Sequence, residues 1–152
     1  MEKLYFDFTN DMFNSAIAKA RGINNTTNNP LILTRLLHLI WYLLNPLRAL
    51  LGVPVTVDCA YRCAALNKIL GGAATGHPEG YCADILVKGW TQEKLFNEIL
   101  NLVRSGKIKE WDQIIWEKDS NCVHVSYRYG NNRKQIMIRT KQNGKFIYTN
   151  VK

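Results

Sequence analysis

The chain has three histidines, and their sequence contexts differ. His38 lies in the middle of an apolar helical segment, where a satisfied or partly exposed core histidine is expected rather than a ligand. His77 lies in a polar, glycine-punctuated segment, residues 75–84, that leads into an apolar strand. His124 lies on a predicted strand whose valines face one side and whose polar residues face the other. His77 and His124 are therefore the imidazoles available for chemistry.

Asp84 opens the otherwise apolar strand that follows His77. An unpaired carboxylate is costly there unless it is hydrogen-bonded or bound to a cation. Two imidazoles and one carboxylate suit Zn²⁺, and three protein ligands leave a fourth position for water. Zinc makes such a water nucleophilic near neutral pH and polarises a carbonyl, which indicates hydrolysis. A simpler interpretation stays open, in which His77 is a loop histidine and Asp84 caps a turn.

The secondary structure that must position these residues is predicted from the spacing of apolar residues, which changes from helical spacing to strand alternation in the last third of the chain. Helices are predicted over residues 7–21 (with Thr9 or Asn10 as N-cap), 31–44, 45–52, 63–70 and 91–106. Strands are predicted over residues 53–57, 83–87, 112–116, 121–128, 135–140 and 145–150, with a hairpin turn at Asn143-Gly144. Helices first and an antiparallel meander last predict an α+β fold, with helices packed on a small antiparallel β-sheet. The length suits one domain, residues 1–152.

The composition excludes several classes of protein. With 47% hydrophobic residues the chain is not disordered, and its net charge of +8 favours polyanionic partners such as nucleic acid, anionic membranes or an acidic cell wall. The basic residues are scattered, so no specific nucleic-acid partner is predicted. The apolar stretch 31–51 is interrupted by charged and polar residues, so no membrane insertion is expected. The N-terminal residues lack a secretory pattern, and synthesis in the cytosol is expected.

The chain also has four cysteines, which could form disulfides, and four tryptophans, which could stack on sugars. Without an export signal, Cys59, Cys63, Cys82 and Cys122 are expected to be reduced thiols with a packing role, although two disulfides are conceivable. Sugar stacking is an alternative for Trp41, Trp90, Trp111 and Trp116, but core or rim packing is the preferred interpretation.

Several short motifs accompany the histidines in a fixed order. They are Tyr61-Arg62, Asn67, Gly71-Gly72, His77-x-x-Gly80, Ala83-Asp84, Gln113-Ile-Ile-Trp-Glu117 and Val123-His-Val-Ser-Tyr-Arg128. From about Phe8 to about Arg139 the chain resembles the M15 family of zinc D-Ala-D-Ala carboxypeptidases and peptidoglycan endopeptidases, in the branch of phage endolysins. The resemblance implies a Hedgehog/DD-peptidase-like fold and one Zn²⁺ per chain, and a monomer is expected, although the sequence does not fix the oligomeric state. It also implies peptidoglycan stem peptides as substrate and action on the bacterial cell wall in a phage or prophage context.

The resemblance assigns roles residue by residue. It makes His77, Asp84 and His124 the zinc ligands. Arg62 binds a substrate carboxylate or steadies the oxyanion, with a structural salt bridge as the alternative role. Substrate-binding roles fall to Thr75 and Tyr61, and Gly80 lets the loop turn between two ligands.

A general base is also required, to take a proton from water and pass it to the leaving amine. Some family members have a glutamate three residues before the last histidine, where this chain has Asn121. Glu117 matches the glutamate of the endolysin branch and is predicted to be the base, with Asp119 second. The alternative for Glu117 is an exposed acid at the end of a strand.

Three departures from the family pattern lie near the predicted metal. Cys59-Ala60 replaces Ser-Gly, Cys82 replaces a small alanine, and Thr75 replaces serine. The two cysteines are interpreted as inert packing, as a pair that forms under oxidation, or as residues that narrow the pocket. They motivate an alternative function, a zinc-stabilised, catalytically weak cell-wall-binding or structural module.

Overall fold

The computed structural model describes residues 3–152, so the first two residues of the predicted domain lie outside it. Within this range the fold is α+β, with five α-helices and a six-stranded sheet. The helices are α1 Ala16–Ala20, α2 Pro30–Leu39, α3 Asn45–Leu51, α4 Ala64–Leu70 and α5 Gln92–Arg104. The strands are β1 Thr56–Cys59, β2 Cys82–Leu86, β3 Gln113–Glu117, β4 Val123–Ser126, β5 Gln135–Gln142 and β6 Lys145–Asn150. Two π-helical turns, Phe8–Met12 and Ile40–Leu44, complete the described elements.

The sheet is mixed, so the prediction of an antiparallel sheet is wrong in one pairing. The strand order is β1-β2-β4-β3-β5-β6, and β5 runs parallel to β3. Strand β4 ends at Ser126 beside Gln113, where β3 begins. The connection of residues 127–134 crosses that end of β3 and starts β5 on its other side. Because β5 then leaves from the end at which β3 starts, the two strands run in the same direction.

The two faces of the sheet have different roles because side chains alternate along each strand. One face joins the hydrophobic core, to which β2 contributes Ala83 and Ile85 and β4 contributes Val123 and Val125. Leucines and isoleucines of α2, α3 and α5 complete this core. The opposite face of β2 and β4 carries polar residues, among them Asp84 opposite His124.

The first predicted helix, residues 7–21, is divided in the structure. Phe8–Met12 forms a π-helical turn capped by Asp7, whose Oδ1 accepts a hydrogen bond from Asn10 N at 2.7 Å. Ser15 then caps α1 separately, since its hydroxyl accepts a hydrogen bond from Ala18 N. Serine competes with the helix for backbone N–H groups, and this explains the interruption. The first predicted strand also moves, to Thr56–Cys59, because Pro54 lacks the N–H that pairing requires.

Residues 30–51 form one continuous helical segment of 22 residues. Its most apolar window has a mean hydropathy of 1.2, so by length and composition it could cross a membrane despite its charged residues. This corrects the expectation that the stretch is too interrupted. The inner face, with Leu36, Leu39, Leu43 and Leu47, is fully buried in the core. Central helices of folded domains have the same length and hydropathy, and this packing fits that role.

The predicted turns and caps around the later elements are confirmed. Thr91 Oγ1 accepts a hydrogen bond from Lys94 N at the start of α5. Gly71 ends α4 in the left-handed region, with φ of 63°. Asn143 and Gly144, both with positive φ, join β5 to β6 as a two-residue hairpin turn.

Asp112 holds together the end of the sheet at which β3 and β5 begin. Its side chain is fully buried and accepts hydrogen bonds from Ser126 Oγ and from the backbone and guanidinium of Arg133. Its backbone carbonyl accepts a hydrogen bond from Gln135 N, the first residue of β5. Burial alone would raise the pKa of Asp112, but the hydrogen bonds from Arg133 and Ser126 outweigh burial and hold this pKa below its usual 3.8.

We predict that Asp112→Asn lowers the free energy of unfolding at neutral pH by about 1.5–3 kcal/mol, because the uncharged amide weakens the hydrogen bonds that the buried carboxylate accepts from Ser126 and Arg133. The ionised carboxylate stabilises the fold above pH 3.8, and that contribution is lost as the pH falls through the lower pKa of the folded state. The difference between the two proteins should therefore shrink below about pH 4. Urea unfolding across this pH range measures it. Glu98→Gln on the exposed side of α5 is the matched control, with a change within about 0.5 kcal/mol; an equal change in both variants would contradict the role of Asp112.

Candidate metal centre

An open cavity of about 880 Å³ lies over the polar face of the sheet. One wall is the glycine-rich segment that follows α4, with Gly71, Gly72 and Thr75. The hairpin of β5 and β6 forms another wall through residues such as Arg139 and Tyr148. His77, Asp84, Glu117, His124 and Arg62 all line this cavity. The structure therefore brings together the predicted metal ligands, the predicted base and the predicted arginine.

His77 is held in a defined orientation by the backbone. Its Nδ1 lies 2.6 Å from the carbonyl oxygen of Ala60, which can only accept a hydrogen bond. Nδ1 therefore carries the proton, and in the neutral ring Nε2 keeps its lone pair. Nε2 lies 3.3 Å from Asp84 Oδ2, inside the site. An imidazole whose second nitrogen donates to a carbonyl is the usual arrangement of a metal-bound histidine.

Gly80 positions the loop that carries His77. It has a φ of 80°, and a Cβ at this residue would lie 3.0 Å from the backbone oxygen of Ile32 and 3.2 Å from Leu36 Cγ. The loop therefore packs directly on α2, which only glycine permits in this conformation. This confirms the predicted sharp turn at Gly80.

Asp84 joins the two histidines. Strands β2 and β4 pair in a register that places Asp84 opposite His124, and Asp84 Oδ1 lies 2.9 Å from His124 Nδ1. Burial alone would raise the pKa of Asp84, but its contacts with His77 and His124 outweigh burial and hold this pKa well below 3.8. Asp84 is thus an anion at every pH at which the fold would work. Its contacts are with two imidazoles rather than with the backbone of a turn, so the interpretation of Asp84 as a turn cap is wrong, and its role as a metal ligand stays a prediction.

Arg62 reaches the same carboxylate from the other side. Its Nη2 lies 3.2 Å from Asp84 Oδ2, and its Nε donates to Cys59 Sγ at 3.1 Å. A Cβ at Gly72 would lie only 2.9 Å from Arg62 Nη1 and 2.4 Å from Asn67 Oδ1, so glycine is needed for this placement. The structure therefore shows Arg62 in the salt bridge that was its alternative role, with Asp84 as the partner. Arg62 also lines the cavity. Binding of substrate by Arg62 stays a prediction.

Glu117 is buried, which overturns its interpretation as an exposed strand-end acid. Arg139 Nη1 lies 2.8 Å from Glu117 Oε1, and Ser120 Oγ donates to Oε2 at 3.2 Å. Burial and the nearby charge of Asp84 raise the pKa of Glu117 above its usual 4.5. A raised pKa suits a general base that works near neutral pH. Asp119 instead pairs with Arg139 and does not line the cavity, so Glu117 is the better placed of the two predicted bases.

The remaining predicted residues divide between cavity and core. Thr75 is exposed and lines the cavity, so its predicted contact with substrate stays open. Tyr61 is buried and packs edge-on against Phe13, with ring centroids 5.8 Å apart. The prediction that Tyr61 binds substrate is corrected, because its ring belongs to the core rather than to the cavity wall. His38 lies outside the cavity and contacts Tyr42 and Tyr129.

Three of the four tryptophans pack in or against the hydrophobic core. Trp111 is buried, and Trp90 and Trp116 pack against the core. Trp41 is 45% exposed on the long helical segment. Among the described residues no tryptophan lines the cavity, so sugar stacking within the site is not supported.

The sequence predicts that Cys59 and Cys82 lie near the predicted metal, but it assigns neither of them a role in binding that metal. All four cysteines are free thiols in the part of the chain that the structure describes. Both Cys59 and Cys82 are buried and join overlapping clusters of ligand atoms that lie within 4.8 Å of one another. These clusters are His77-Cys82-His124, Cys59-His77-Asp84 and Asp84-Glu117-His124. Burial would raise the pKa of the Cys82 thiol, but the neighbouring His77 and His124 outweigh burial and lower this pKa to about 7.

The donor atoms fit a zinc ion. Tetrahedral zinc with bonds of about 2.0–2.1 Å places neighbouring donors roughly 3.3–3.4 Å apart. His77 Nε2 and Asp84 Oδ2 are separated by 3.3 Å, and the second imidazole contacts the other oxygen of the same carboxylate. Nitrogen and carboxylate donors at this spacing match the chemistry that Zn²⁺ requires, with His77 oriented by the carbonyl of Ala60 and Asp84 by Arg62.

A comparison with models of known protein families finds a match. The family model described as Peptidase M15 matches residues 7–126, which is 120 of the 152 residues. The match includes all three histidines, Asp84 and Glu117, and ends before β5 and β6. No curated protein matches the chain significantly.

We predict that His77→Ala or His124→Ala abolishes stoichiometric zinc binding, because each removes one of the two imidazoles on which the predicted site depends. Elemental analysis of protein dialysed against trace zinc measures the stoichiometry. His38→Ala, which removes the histidine outside the cavity, is the matched control and should retain one zinc per chain. One zinc per chain in either site variant would contradict the ligand assignment.

Proposed function

The chain belongs to the peptidase M15 family, and we propose that it is a zinc-dependent peptidase that cleaves the stem peptide of peptidoglycan. A single observation carries the proposal. Asp84 lies between Nε2 of His77 and Nδ1 of His124, at 3.3 and 2.9 Å, with the other nitrogen of His77 fixed by a backbone carbonyl. The arrangement supports one Zn²⁺ per chain, held by His77, Asp84 and His124.

Zinc in this position would supply a nucleophilic water and polarise the scissile carbonyl. Glu117 then takes the proton of the attacking water and returns it to the leaving amine. Its carboxylate lies within 4.8 Å of ligand atoms of Asp84 and His124, so the base and the metal share one site. Arg139 and Ser120 hold Glu117 in place. Arg62, anchored by Asp84, presents its guanidinium to the developing oxyanion or to a carboxylate of the substrate.

The residues that line the cavity favour a peptide substrate that carries carboxylates. Arg62, Arg128, Arg133 and Arg139 line the cavity together, and arginine is the side chain best suited to bind a carboxylate in a defined plane. Stem peptides of peptidoglycan have free carboxylates along their length. The net charge of +8 would also raise the rate of encounter with an anionic cell wall.

Action on the bacterial wall in a phage or prophage context is part of the proposal, and so is a monomeric enzyme. The phage or prophage context rests on the resemblance of the motifs to the endolysin branch. Carboxypeptidase and endopeptidase activity differ only in where the substrate ends relative to the cavity, and the open shape admits either.

A second function is favoured by the two buried cysteines at the metal site. A site that binds zinc but does not turn over substrate would make the chain a zinc-stabilised, cell-wall-binding or structural module. Cys59 Sγ and Cys82 Sγ each fall within 4.8 Å of predicted ligand atoms, where additional donors would compete with water.

We predict that Glu117→Gln lowers the rate of peptide cleavage by roughly 10²–10⁴-fold, because the amide cannot accept the proton of water. Zinc content should stay at one per chain, since Glu117 is not a predicted ligand. Mass spectrometry of purified peptidoglycan, digested for increasing times, measures the release of new peptide termini.

Asp119→Asn is the matched control for this variant, because Asp119 also pairs with Arg139 but lies outside the cavity lining. It should retain most of the activity. Equal loss in both variants would assign the effect to Arg139 rather than to a base. Negligible release by wild type and by Glu117→Gln alike would favour the non-catalytic module.

A further inference from the structure

Cys82 is the residue of the site to which the proposed mechanism gives no role. It lies on β2 two residues before Asp84, so both side chains point to the same face of the sheet. Its side chain is 1% exposed. The Sγ atom, a ring nitrogen of His77 and a ring nitrogen of His124 all lie within 4.8 Å of one another. Asp84 contacts both of these imidazoles, at 3.3 and 2.9 Å.

The adjacent loop leaves room for this sulfur. A Cβ at Gly76 would lie 3.3 Å from Cys82 Sγ, and Gly76 has a φ of 83°, which other residues rarely adopt. The glycine thus allows the loop that carries His77 to approach the sulfur closely. Cys59 Sγ differs, because it already accepts a hydrogen bond from Arg62 Nε at 3.1 Å.

We propose that Cys82 is a metal ligand, so that the ion is bound by a sulfur in addition to the two imidazoles and the carboxylate of Asp84. This inference rests on the proposed function, since the ion is that of the proposed peptidase. On binding, the thiol loses its proton to solvent and the thiolate sulfur forms the metal bond. Two nitrogens, one oxygen and one sulfur favour thiophilic ions such as Zn²⁺ over Mg²⁺ or Ca²⁺. With a fourth protein donor, water must enter as a fifth ligand or displace the sulfur.

X-ray absorption at the zinc edge tests the proposal on the full chain loaded with zinc alone. Zinc–sulfur bonds of about 2.3 Å are resolved from zinc–nitrogen and zinc–oxygen bonds of about 2.0–2.1 Å. We expect one sulfur per zinc in the wild type. Cys82→Ala and Cys82→Ser should both lose the sulfur signal and keep the nitrogen and oxygen signal. The serine variant preserves the volume of the side chain, which guards against a folding defect in the alanine variant.

Cys59→Ala and Cys63→Ala are the controls, the first near the site and the second at the start of α4. Both should retain the sulfur signal. The proposal is overturned by a wild type that binds zinc without sulfur, by a sulfur signal that survives in both Cys82 variants, or by a wild type that binds no zinc.

The outcomes also separate this proposal from the proposed function. A wild type that cleaves peptidoglycan and shows no zinc–sulfur bond would refute the role of Cys82 and leave the peptidase intact. A zinc–sulfur bond in a protein that releases no peptide termini would support the ligand and refute the peptidase. Cobalt-loaded protein gives a second readout, since only a bound thiolate produces an intense near-ultraviolet charge-transfer band, and Cys82→Ala should remove it.

Discussion

The contact of one buried carboxylate with two imidazoles is the constraint on which the site depends. Asp84 is almost fully buried, and its oxygens lie 3.3 Å from His77, 2.9 Å from His124 and 3.2 Å from Arg62. A buried charge is tolerated only when it is paired in this way. The pairing requires the β2–β4 register and a loop folded back onto α2 at Gly80. A slip of one residue in that register would turn Asp84 into the core.

The division of the sheet into an apolar and a polar face explains how this cluster is supported. The apolar face packs on the long helical segment and α5, and it stabilises strands whose other face carries charges. A second buried carboxylate, Asp112, fixes the end of the sheet at which β5 begins. Because β5 carries Arg139, this anchoring also determines where the partner of Glu117 lies. Four neighbouring strands thus place Asp84, His124, Glu117 and Arg139, and the loop before β2 places His77.

Much of this arrangement could be predicted from local sequence. Helix caps and the Asn143-Gly144 turn depend on residues close together in the chain, and the motifs around His77 and His124 identified the family. Features that depend on distant contacts were missed. The parallel pairing of β5 follows from hydrogen bonds to Asp112, and the burial of Tyr61 follows from its packing on Phe13. The closeness of Cys82 to both imidazoles had one signal in the sequence, its position two residues before Asp84 on a strand.

The proposed function depends most directly on a single ion bound between His77, Asp84 and His124. A crystal structure of zinc-loaded protein, with anomalous data collected on both sides of the zinc edge, locates that ion without any assumption about activity. We expect one peak per chain, about 2.0–2.2 Å from His77 Nε2, from a carboxylate oxygen of Asp84 and from a ring nitrogen of His124. A peak elsewhere in the chain, or none at full zinc loading, would contradict the account.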